Sequence, residues 1–294
     1  MTATSTRLCR LATAMDSRLF SFEFYPPRTE AGGSKLDAVH EQLSRLKPDF
    51  FSVTYGAGGS TKQGTQQLVL KYHQLGSTVA PHLSFGGTDE VELRALLAAY
   101  KEAGIDRLVT LRGDLPSGIG AAVNHRYASE LVAFVREETG DHFHIDVACY
   151  PETHPDSANY ATDVGFFKQK VDAGADSAIT QYFYNADAYF YFVDYCSKAG
   201  ISIPIVPGIM PITNFINLAR FSMSCGAEIP QWLRNRLEDF GDDVEGLREF
   251  GIEVVTNMCE KLLEGGAPGL HFYSMNLARS VTQIWSNLAL SDRP

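Results

Sequence analysis

The chain has 294 residues and a formal net charge of −10 at pH 7, with 45% hydrophobic and 20% charged residues. This composition is ordinary for a globular protein, and the negative charge argues against a surface for nucleic acid or for an anionic membrane. No apolar run reaches about 18 residues, so no membrane-spanning helix is predicted. The five cysteines are widely spaced and include no C-x-x-C pair, which favours reduced thiols in a cytoplasmic protein over a disulfide or zinc framework.

Residues 1–18 are predicted to form a flexible N-terminal tail. Their apolar residues come in short pieces divided by Arg10 and Thr13, so the continuous apolar core of a secretory signal is missing. Met15 is an alternative candidate for the true start. Residues 19–294 are predicted to form one catalytic barrel, because no composition break or long linker divides them.

Strands and helices are predicted to alternate along the chain. The first strand begins at Leu19 and ends before Pro26 and Pro27, since proline cannot continue a hydrogen-bonded ladder. Further strands are predicted at 50–55, 78–83, 107–111, 144–150, 177–183, 204–208 and 269–274. Helices are predicted at 35–46, around 68–75, and at 90–103, 128–138, 163–173, 186–199 and 214–224, with extra helical material at 231–263 and a last helix after the final strand.

Eight strands that are each followed by a helix predict an α/β fold, a single (β/α)8 TIM barrel with an extra helical segment before the last strand. The alternative is an open doubly wound sheet, which usually has fewer units and often carries G-x-G-x-x-G. Gly56-x-Gly58 and Gly118-x-Gly120 both lack the third glycine, and G-x-x-x-x-G-K-[ST] does not occur. A Rossmann dinucleotide site and a P-loop are therefore disfavoured.

Polar side chains collect at the carboxyl ends of the predicted strands, where a barrel enzyme builds its active site. Alternation along the first strand places Glu23 on the same face as small Ser21, and Phe20, Phe22 and Phe24 on the opposite face. We therefore expect Glu23 to point into the barrel and the three phenylalanines to pack against helices. The same parity argument points Thr54 and His82 inward. The full set is Glu23, Thr54, His82, Arg112, Asp114, Tyr150, Glu152, His154 and Gln181.

Several of these residues also have a purely structural explanation. His82 alone is well explained as a core histidine, and Arg112 with Asp114 as a surface ion pair. His142 and His144 share a strand face but have no third ligand at useful spacing, so no metal site is predicted. The strand ends carry no Schiff-base lysine and the chain has no G-x-S-x-G, which argues against an aldolase and a serine hydrolase.

Short motifs follow one another in a fixed order between Leu19 and Ser280. They are F-E-F-Y-P-P-R at 22–28, S-V-T-Y-G-A at 52–57, A-P-H-L at 80–83, L-R-G-D-L-P at 111–116, Y-P-E-x-H-P at 150–155, K-x-D-A-G-A at 170–175, I-T-Q-Y-F at 179–183, P-G-I-M-P at 207–211 and H-F-Y at 271–273. Each motif alone is modest, but the ordered set is highly specific. Together they resemble the methylenetetrahydrofolate reductase family, in its bacterial type with the catalytic domain alone.

The resemblance implies a flavin-dependent barrel oxidoreductase of one-carbon metabolism and methionine biosynthesis. Such an enzyme reduces 5,10-methylenetetrahydrofolate to 5-methyltetrahydrofolate. NADH or NADPH first reduces non-covalently bound FAD and leaves, and the folate then takes the hydride at the same place. The family binds FAD without a Rossmann fingerprint, which agrees with the missing glycine motif. A cytoplasmic homo-oligomer is expected, with a folate substrate and no nucleic-acid or membrane partner.

The resemblance also assigns roles to individual positions. Glu23 matches the general acid that opens the five-membered ring of the folate, and Asp114 matches a carboxylate that binds the pterin near the cationic intermediate. The expected substrate contacts are Glu23, Asp114, Gln181, Asn217 and Phe221, the last matching an aromatic that stacks on nicotinamide or folate. The expected FAD contacts are Thr54, His82, Arg112, Gly113, Asp114, Ala128, Tyr150, His154, Asp163 and Lys170, of which Arg112 and Lys170 suit the pyrophosphate by charge.

Four positions depart from the family pattern. Phe166 and Gln169 replace an asparagine and an arginine near the expected FAD site, Asn217 replaces a glutamine, and Leu277 replaces an arginine, with Arg279 close by. These changes bear on FAD affinity and on contacts to the folate tail. Two alternatives stay open: a related flavin- or pterin-dependent barrel reductase with another acceptor, and a folate- or flavin-binding paralogue without turnover.

Overall fold

The structure is a computed structural model that describes residues 18–55, 62–85, 89–113 and 127–290. The predicted N-terminal tail lies outside the described residues apart from Arg18, and so does Asp114. In the described part, none of the helices is long and apolar enough to cross a membrane.

Parallel strands and helices alternate as predicted. The strands are β1 (Leu19–Phe24), β2 (Phe50–Val53), β3 (Val79–Leu83), β4 (Arg107–Thr110), β5 (His144–Cys149), β6 (Ser177–Thr180), β7 (Ile205–Val206), β8 (Gly208–Ile209) and β9 (Gly269–Tyr273). The helices are α1 (Glu30–Ser44), α2 (Lys62–Gln74), α3 (Glu90–Glu102), α4 (Ala128–Thr139), α5 (Tyr160–Asp172), α6 (Ala186–Lys198), α7 (Phe215–Cys225), α8 (Gln231–Asp239), α9 (Val244–Glu264) and α10 (Arg279–Asn287). The extra helical segment before the last strand is α8 and α9.

The first helix begins earlier than the predicted start at residue 35, because capping outweighs the two glycines in its first turns. Thr29 is extended, and its side-chain oxygen accepts a hydrogen bond from Gly32 N at 3.1 Å. Glu30 adds a negative charge in the first turn, where its interaction with the helix dipole stabilises the helix.

The predicted seventh strand is divided in two by Pro207. Its first half, β7, pairs with β6, and its second half, β8, pairs with β9. Proline has no N–H to donate, but its carbonyl oxygen accepts from His271 N at 3.0 Å. The sheet order is β7-β6-β5-β4-β3-β2-β1-β9-β8, and because β7 and β8 are joined through Pro207 the sheet closes on itself. The predicted TIM barrel is confirmed.

The outward face of β1 anchors the barrel to its helices, as alternation predicted. Phe20, Phe22 and Phe24 are fully buried. The rings of Phe20 and Phe22 lie 5.5 and 5.3 Å from Trp285 of α10, and Phe24 lies 6.0 Å from Tyr72 of α2. Burying each such side chain stabilises the fold by about 1.5–3 kcal/mol.

An ion pair inside the barrel lies toward the end opposite the predicted site. Asp146 is fully buried, and its carboxylate accepts from Arg107 Nε at 2.6 Å and from Arg107 Nη2 at 2.9 Å. Ser177 Oγ donates to the same carboxylate, and the guanidinium lies 4.1 Å from the ring centroid of Phe50. The bidentate geometry and the third donor satisfy a charge that would otherwise be costly to bury.

Asp146→Asn is expected to lower the free energy of unfolding by about 3 kcal/mol or more, because it leaves the Arg107 cation without its counter-charge inside the barrel. Urea unfolding measures the change. The matched control is Asp239→Asn, an exposed carboxylate 4.0 Å from Arg236, for which we expect about 0.5 kcal/mol or less. An Asp146→Asn protein within about 1 kcal/mol of the unchanged chain would contradict this role for the pair.

Candidate active site

A cavity of about 210 Å³ opens at the carboxyl ends of the strands. Five residues predicted for the site line it together: Glu23, Thr54, His82, Tyr150 and Gln181. The remaining lining residues are Tyr55, Val109, Leu111, Ala148, Ile179, His271 and Tyr273. The alternation of each strand thus brings together side chains that are far apart in the sequence.

Glu23 lies between two imidazoles. Its side chain is 20% exposed, and its Oε2 lies 3.4 Å from His82 Nε2 and 3.7 Å from His271 Nε2. His271 stands opposite Ser21 in the β1–β9 register, and its Nδ1 forms a 2.7 Å hydrogen bond with Ser21 Oγ. The carboxyl group therefore lies at the cavity wall beside two imidazole rings.

His82 is an uncharged neighbour of Glu23 near neutral pH. Burial lowers the pKa of His82, and the nearby Glu23 opposes that shift, while His271 adds to it. The His82 ring is thus predominantly neutral at pH 7, so its contact with Glu23 is not a full ion pair.

Several buried polar atoms near Glu23 have no hydrogen-bond partner within the described residues. They are Ser52 Oγ, Thr54 Oγ1, His82 Nε2 and His271 Nε2. Leaving a buried polar atom unsatisfied costs about 1–3 kcal/mol, so such atoms are rare and require an explanation. Four of the eight such atoms found among the described residues lie around this one carboxyl group, which supports a binding site whose ligand supplies the missing partners and disfavours the interpretation of His82 as a satisfied core histidine.

A second group of predicted residues lies on the loop between β5 and α5, which we call the rim loop (residues 150–159). Asp163, buried in the first turn of α5, accepts from His154 N at 3.0 Å and from Ser157 Oγ at 2.8 Å. The His154 ring lies edge-on to Tyr150, with centroids 4.5 Å apart. Asp163 therefore orders the loop, and the loop in turn fixes the Tyr150 ring at the cavity.

Two cations flank the rim loop. Lys170 Nζ donates to Ala148 O at 2.5 Å, and Arg112 Nη2 donates to Asp156 Oδ2 at 2.6 Å. Burial lowers the pKa of Lys170; Cys149 and Asp163 oppose that shift, and the Arg112 cation adds to it. An anion placed near Lys170 and Arg112 would be favoured by both charges.

The other predicted residues lie around this centre. Gly113 has φ of 81°, which favours glycine at the turn after β4. Ala128 is buried at the start of α4. Asn217 and Phe221 lie on α7 and are exposed rather than part of the cavity wall. Asp114 follows Gly113 outside the described residues.

Sequence reasoning gave no role to His271 or Tyr273. Alternation could have found them, because His271 and Tyr273 lie two residues apart on the last strand and so share one face, as Ser21 and Glu23 do on the first. Barrel closure places these two strands side by side. Tyr273 Oη donates to Thr180 O at 2.7 Å, and a Cβ on Gly208 would lie 2.6 Å from the Tyr273 ring, so only glycine fits there.

The family model described as Methylenetetrahydrofolate reductase matches residues 8–289 of the chain. The chain belongs to the methylenetetrahydrofolate reductase family. The family and the enzyme class predicted from the ordered motifs are thereby confirmed.

Two curated family members show how far the similarity extends. "5,10-methylenetetrahydrofolate reductase" from Buchnera aphidicola subsp. Schizaphis graminum is 39% identical over 277 residues, covering 94% of this chain and 93% of that protein. "Probable methylenetetrahydrofolate reductase (NADH)" from Oryza sativa subsp. japonica is 38% identical over 295 residues, covering 94% of this chain but 49% of the rice protein. The chain thus spans nearly all of the bacterial family member and about half of the plant one.

A solved structure supports the barrel fold. An uncharacterized protein from Clostridium thermocellum that binds two copies of 5-methyl-5,6,7,8-tetrahydrofolic acid superposes with a TM-score of 0.64. It is 20% identical, and the match covers 97% of each chain. At this identity the likeness concerns the fold alone.

Glu152 of the family motif at 150–155 joins the rim loop to the segment between α7 and α8. Its Oε2 accepts from Glu228 N at 2.8 Å. Burial raises the pKa of Glu152 to about 7; the backbone hydrogen bond lowers it, and the Glu228 carboxylate raises it further. The pKa of Glu152 is higher in the folded chain than in the unfolded chain. Its contribution to the stability of the fold is therefore fully present below about pH 4.5 and is lost as the pH rises through about 7.

Glu152→Gln is expected to raise the melting temperature near about pH 8 and to leave it unchanged near about pH 5, because glutamine keeps a hydrogen-bond acceptor and carries no buried charge. Thermal unfolding across this pH range measures the difference. The control is Glu41→Gln, whose carboxylate is 71% exposed and should show no such trend. A Glu152→Gln protein with the unchanged chain's pH profile would contradict the raised pKa.

Proposed function

We propose that the chain reduces 5,10-methylenetetrahydrofolate to 5-methyltetrahydrofolate, with FAD as hydride carrier and NADH or NADPH as donor. The observation that carries this proposal is the Glu23 carboxyl group, which faces the cavity between His82 and His271 in a member of this reductase family. The rice family member is named for NADH, which supports NADH as the donor here.

The cavity and its rim have the chemistry to hold FAD. Within the described residues, Thr54 Oγ1 and His82 Nε2 are buried without partners, and a flavin ring has nitrogen and oxygen atoms along its edge that pair with such groups. Lys170 and Arg112 supply positive charge for a pyrophosphate. When bound, FAD supplies a two-electron carrier that accepts a hydride from the nicotinamide and passes it to the folate.

Glu23 acts as the proton donor to the folate. The methylene carbon of the substrate is bonded to two nitrogens, N5 and N10. Breaking its bond to N10 leaves the electron pair on that nitrogen, which takes a proton from the Glu23 carboxyl group, and the N5 iminium ion that remains is the hydride acceptor. Burial lowers the pKa of His82, so its ring is predominantly neutral and does not hold Glu23 in a full ion pair, while His271, hydrogen-bonded to Ser21, lies 3.7 Å from the same carboxyl oxygen.

The folate is proposed to lie between the strand ends and α7. Gln181 lines the cavity, and its neighbour Tyr182 forms a 3.0 Å hydrogen bond from its hydroxyl to Ser222 Oγ. That contact joins the segment after β6 to α7, and Phe221, the residue before Ser222 on α7, is 40% exposed and is proposed to stack on the pterin or the nicotinamide. Asn217 lies one helical turn before Phe221, and Asp114 is proposed as a pterin contact on the strength of the L-R-G-D motif.

The folate tail is proposed to bind without an arginine after the last strand. Leu277, which stands at that family position, is 51% exposed. The nearby Arg279 is paired with Glu245 through both of its terminal nitrogens. Neither of these two positions therefore offers the tail carboxylates a guanidinium with a free terminal nitrogen.

Glu23→Gln separates the two half-reactions. Glutamine cannot donate a carboxylic proton, so we expect flavin reduction by NADH to remain within a few-fold of normal and flavin reoxidation by methylenetetrahydrofolate to slow by about 10²–10⁴-fold. Anaerobic stopped-flow absorbance of the flavin measures each step. Glu41→Gln, on the exposed face of α1, is the control and should leave both steps unchanged. Normal reoxidation in the Glu23→Gln protein would remove Glu23 from the acid role.

A further inference from the structure

Two partly exposed aromatic rings stack on each other at the protein surface. Tyr127, just before α4, and Phe166 of α5 have ring centroids 5.7 Å apart with planes at 15°. They are 47% and 38% exposed. Aromatic rings usually bury their faces, so an exposed stacked pair, here called the aromatic ledge, indicates a surface that receives a planar ligand.

The geometry of α5 places Phe166 beside Lys170. Phe166 lies three residues after Asp163 and four before Lys170, so the three side chains share one face of α5. Lys170 donates to Ala148 O at the cavity wall, and Asp163 accepts from His154 N in the rim loop. The ledge is therefore the next stretch of surface outward from the rim.

The backbone of Tyr127 is anchored to the start of α4. Its N–H donates to Glu130 Oε2 at 2.5 Å, within the first turn of α4. Phe166 is fixed on the middle of α5. The backbone at both positions is thus ordered by a helix, so only the two side chains remain to be ordered when a ligand stacks on them.

A helix face that carries both an exposed aromatic ring and a cation, Phe166 and Lys170, matches the two parts of a nucleotide. The cations Arg112 and Lys170 attract phosphate oxygens, and aromatic rings bind a base through its π-face. We propose that the aromatic ledge binds the adenine ring of FAD, with Phe166 as its main stacking surface. This inference rests on the proposed function, in which the rim cations hold the FAD pyrophosphate, and it assigns an affinity role to a position where the family pattern has asparagine.

The test measures FAD and FMN dissociation constants for flavin-depleted protein by flavin fluorescence. FMN lacks the adenylate half of FAD. Phe166→Ala is expected to weaken FAD binding by about 5- to 100-fold and to leave FMN binding unchanged, whereas Phe166→Tyr keeps the ring and should keep FAD affinity. Trp232→Ala, which removes a 57% exposed ring from α8, is the matched control and should bind FAD normally. Because Phe166 is partly exposed, we expect every variant to fold, and thermal unfolding checks this.

The outcomes separate this inference from the function on which it rests. Unchanged FAD affinity in the Phe166→Ala protein would overturn the ledge and leave the flavin enzyme standing. Equal losses for FAD and FMN would also overturn it, because the adenine would not be the group contacted. A raised KM for NADH in FAD-saturated Phe166→Ala protein with normal FAD affinity would assign the ledge to the nicotinamide dinucleotide instead. Failure of the unchanged chain to bind any flavin would overturn both proposals.

Discussion

The pairing of β9 with β1 closes the barrel, and the same pairing builds the site around Glu23. One face of β1 carries three buried phenylalanines that pack against the helices. Because side chains alternate along a strand, Ser21 and Glu23 on the opposite face point into the barrel. The β9 register then sets His271 opposite Ser21 and within 3.7 Å of the Glu23 carboxyl group. A slip of one residue in β1 would turn Glu23 out of the cavity, and the same slip in β9 would turn His271 away from it, so the packing of the β1 phenylalanines fixes the positions of the site residues as well as the fold.

In the described part of the chain, buried polar groups are paired toward one end of the barrel interior and unpaired toward the other. Toward the amino ends of the strands, the charge of Asp146 is matched by Arg107 and by a hydrogen bond from Ser177. At the carboxyl ends, Thr54 Oγ1 and His82 Nε2 are buried without partners among the described residues. The first arrangement stabilises the fold. The second leaves unsatisfied groups at the cavity, which supports the proposal that a ligand binds there.

Local patterning was sufficient to predict the strands, the barrel and the inward orientation of Glu23, because alternation is a property of adjacent residues. It was not sufficient for contacts across long sequence separations. The His271 contact with Ser21 spans 250 residues, and the Arg107–Asp146 pair depends on which strands become neighbours. The division of the seventh strand at Pro207 follows from a proline that was visible in the sequence, but its effect depends on the closing pair with β9.

The central claim is that this cavity carries a flavin through which a nicotinamide reduces the folate. The most direct test is the anaerobic visible spectrum of the purified protein, supplemented with FAD, before NADH, after NADH and after methylenetetrahydrofolate. Our account predicts a flavin spectrum that NADH bleaches and the folate restores. Bleaching that the folate does not reverse would point to another acceptor, and a protein that shows no bound flavin even with added FAD would contradict the account at its first step.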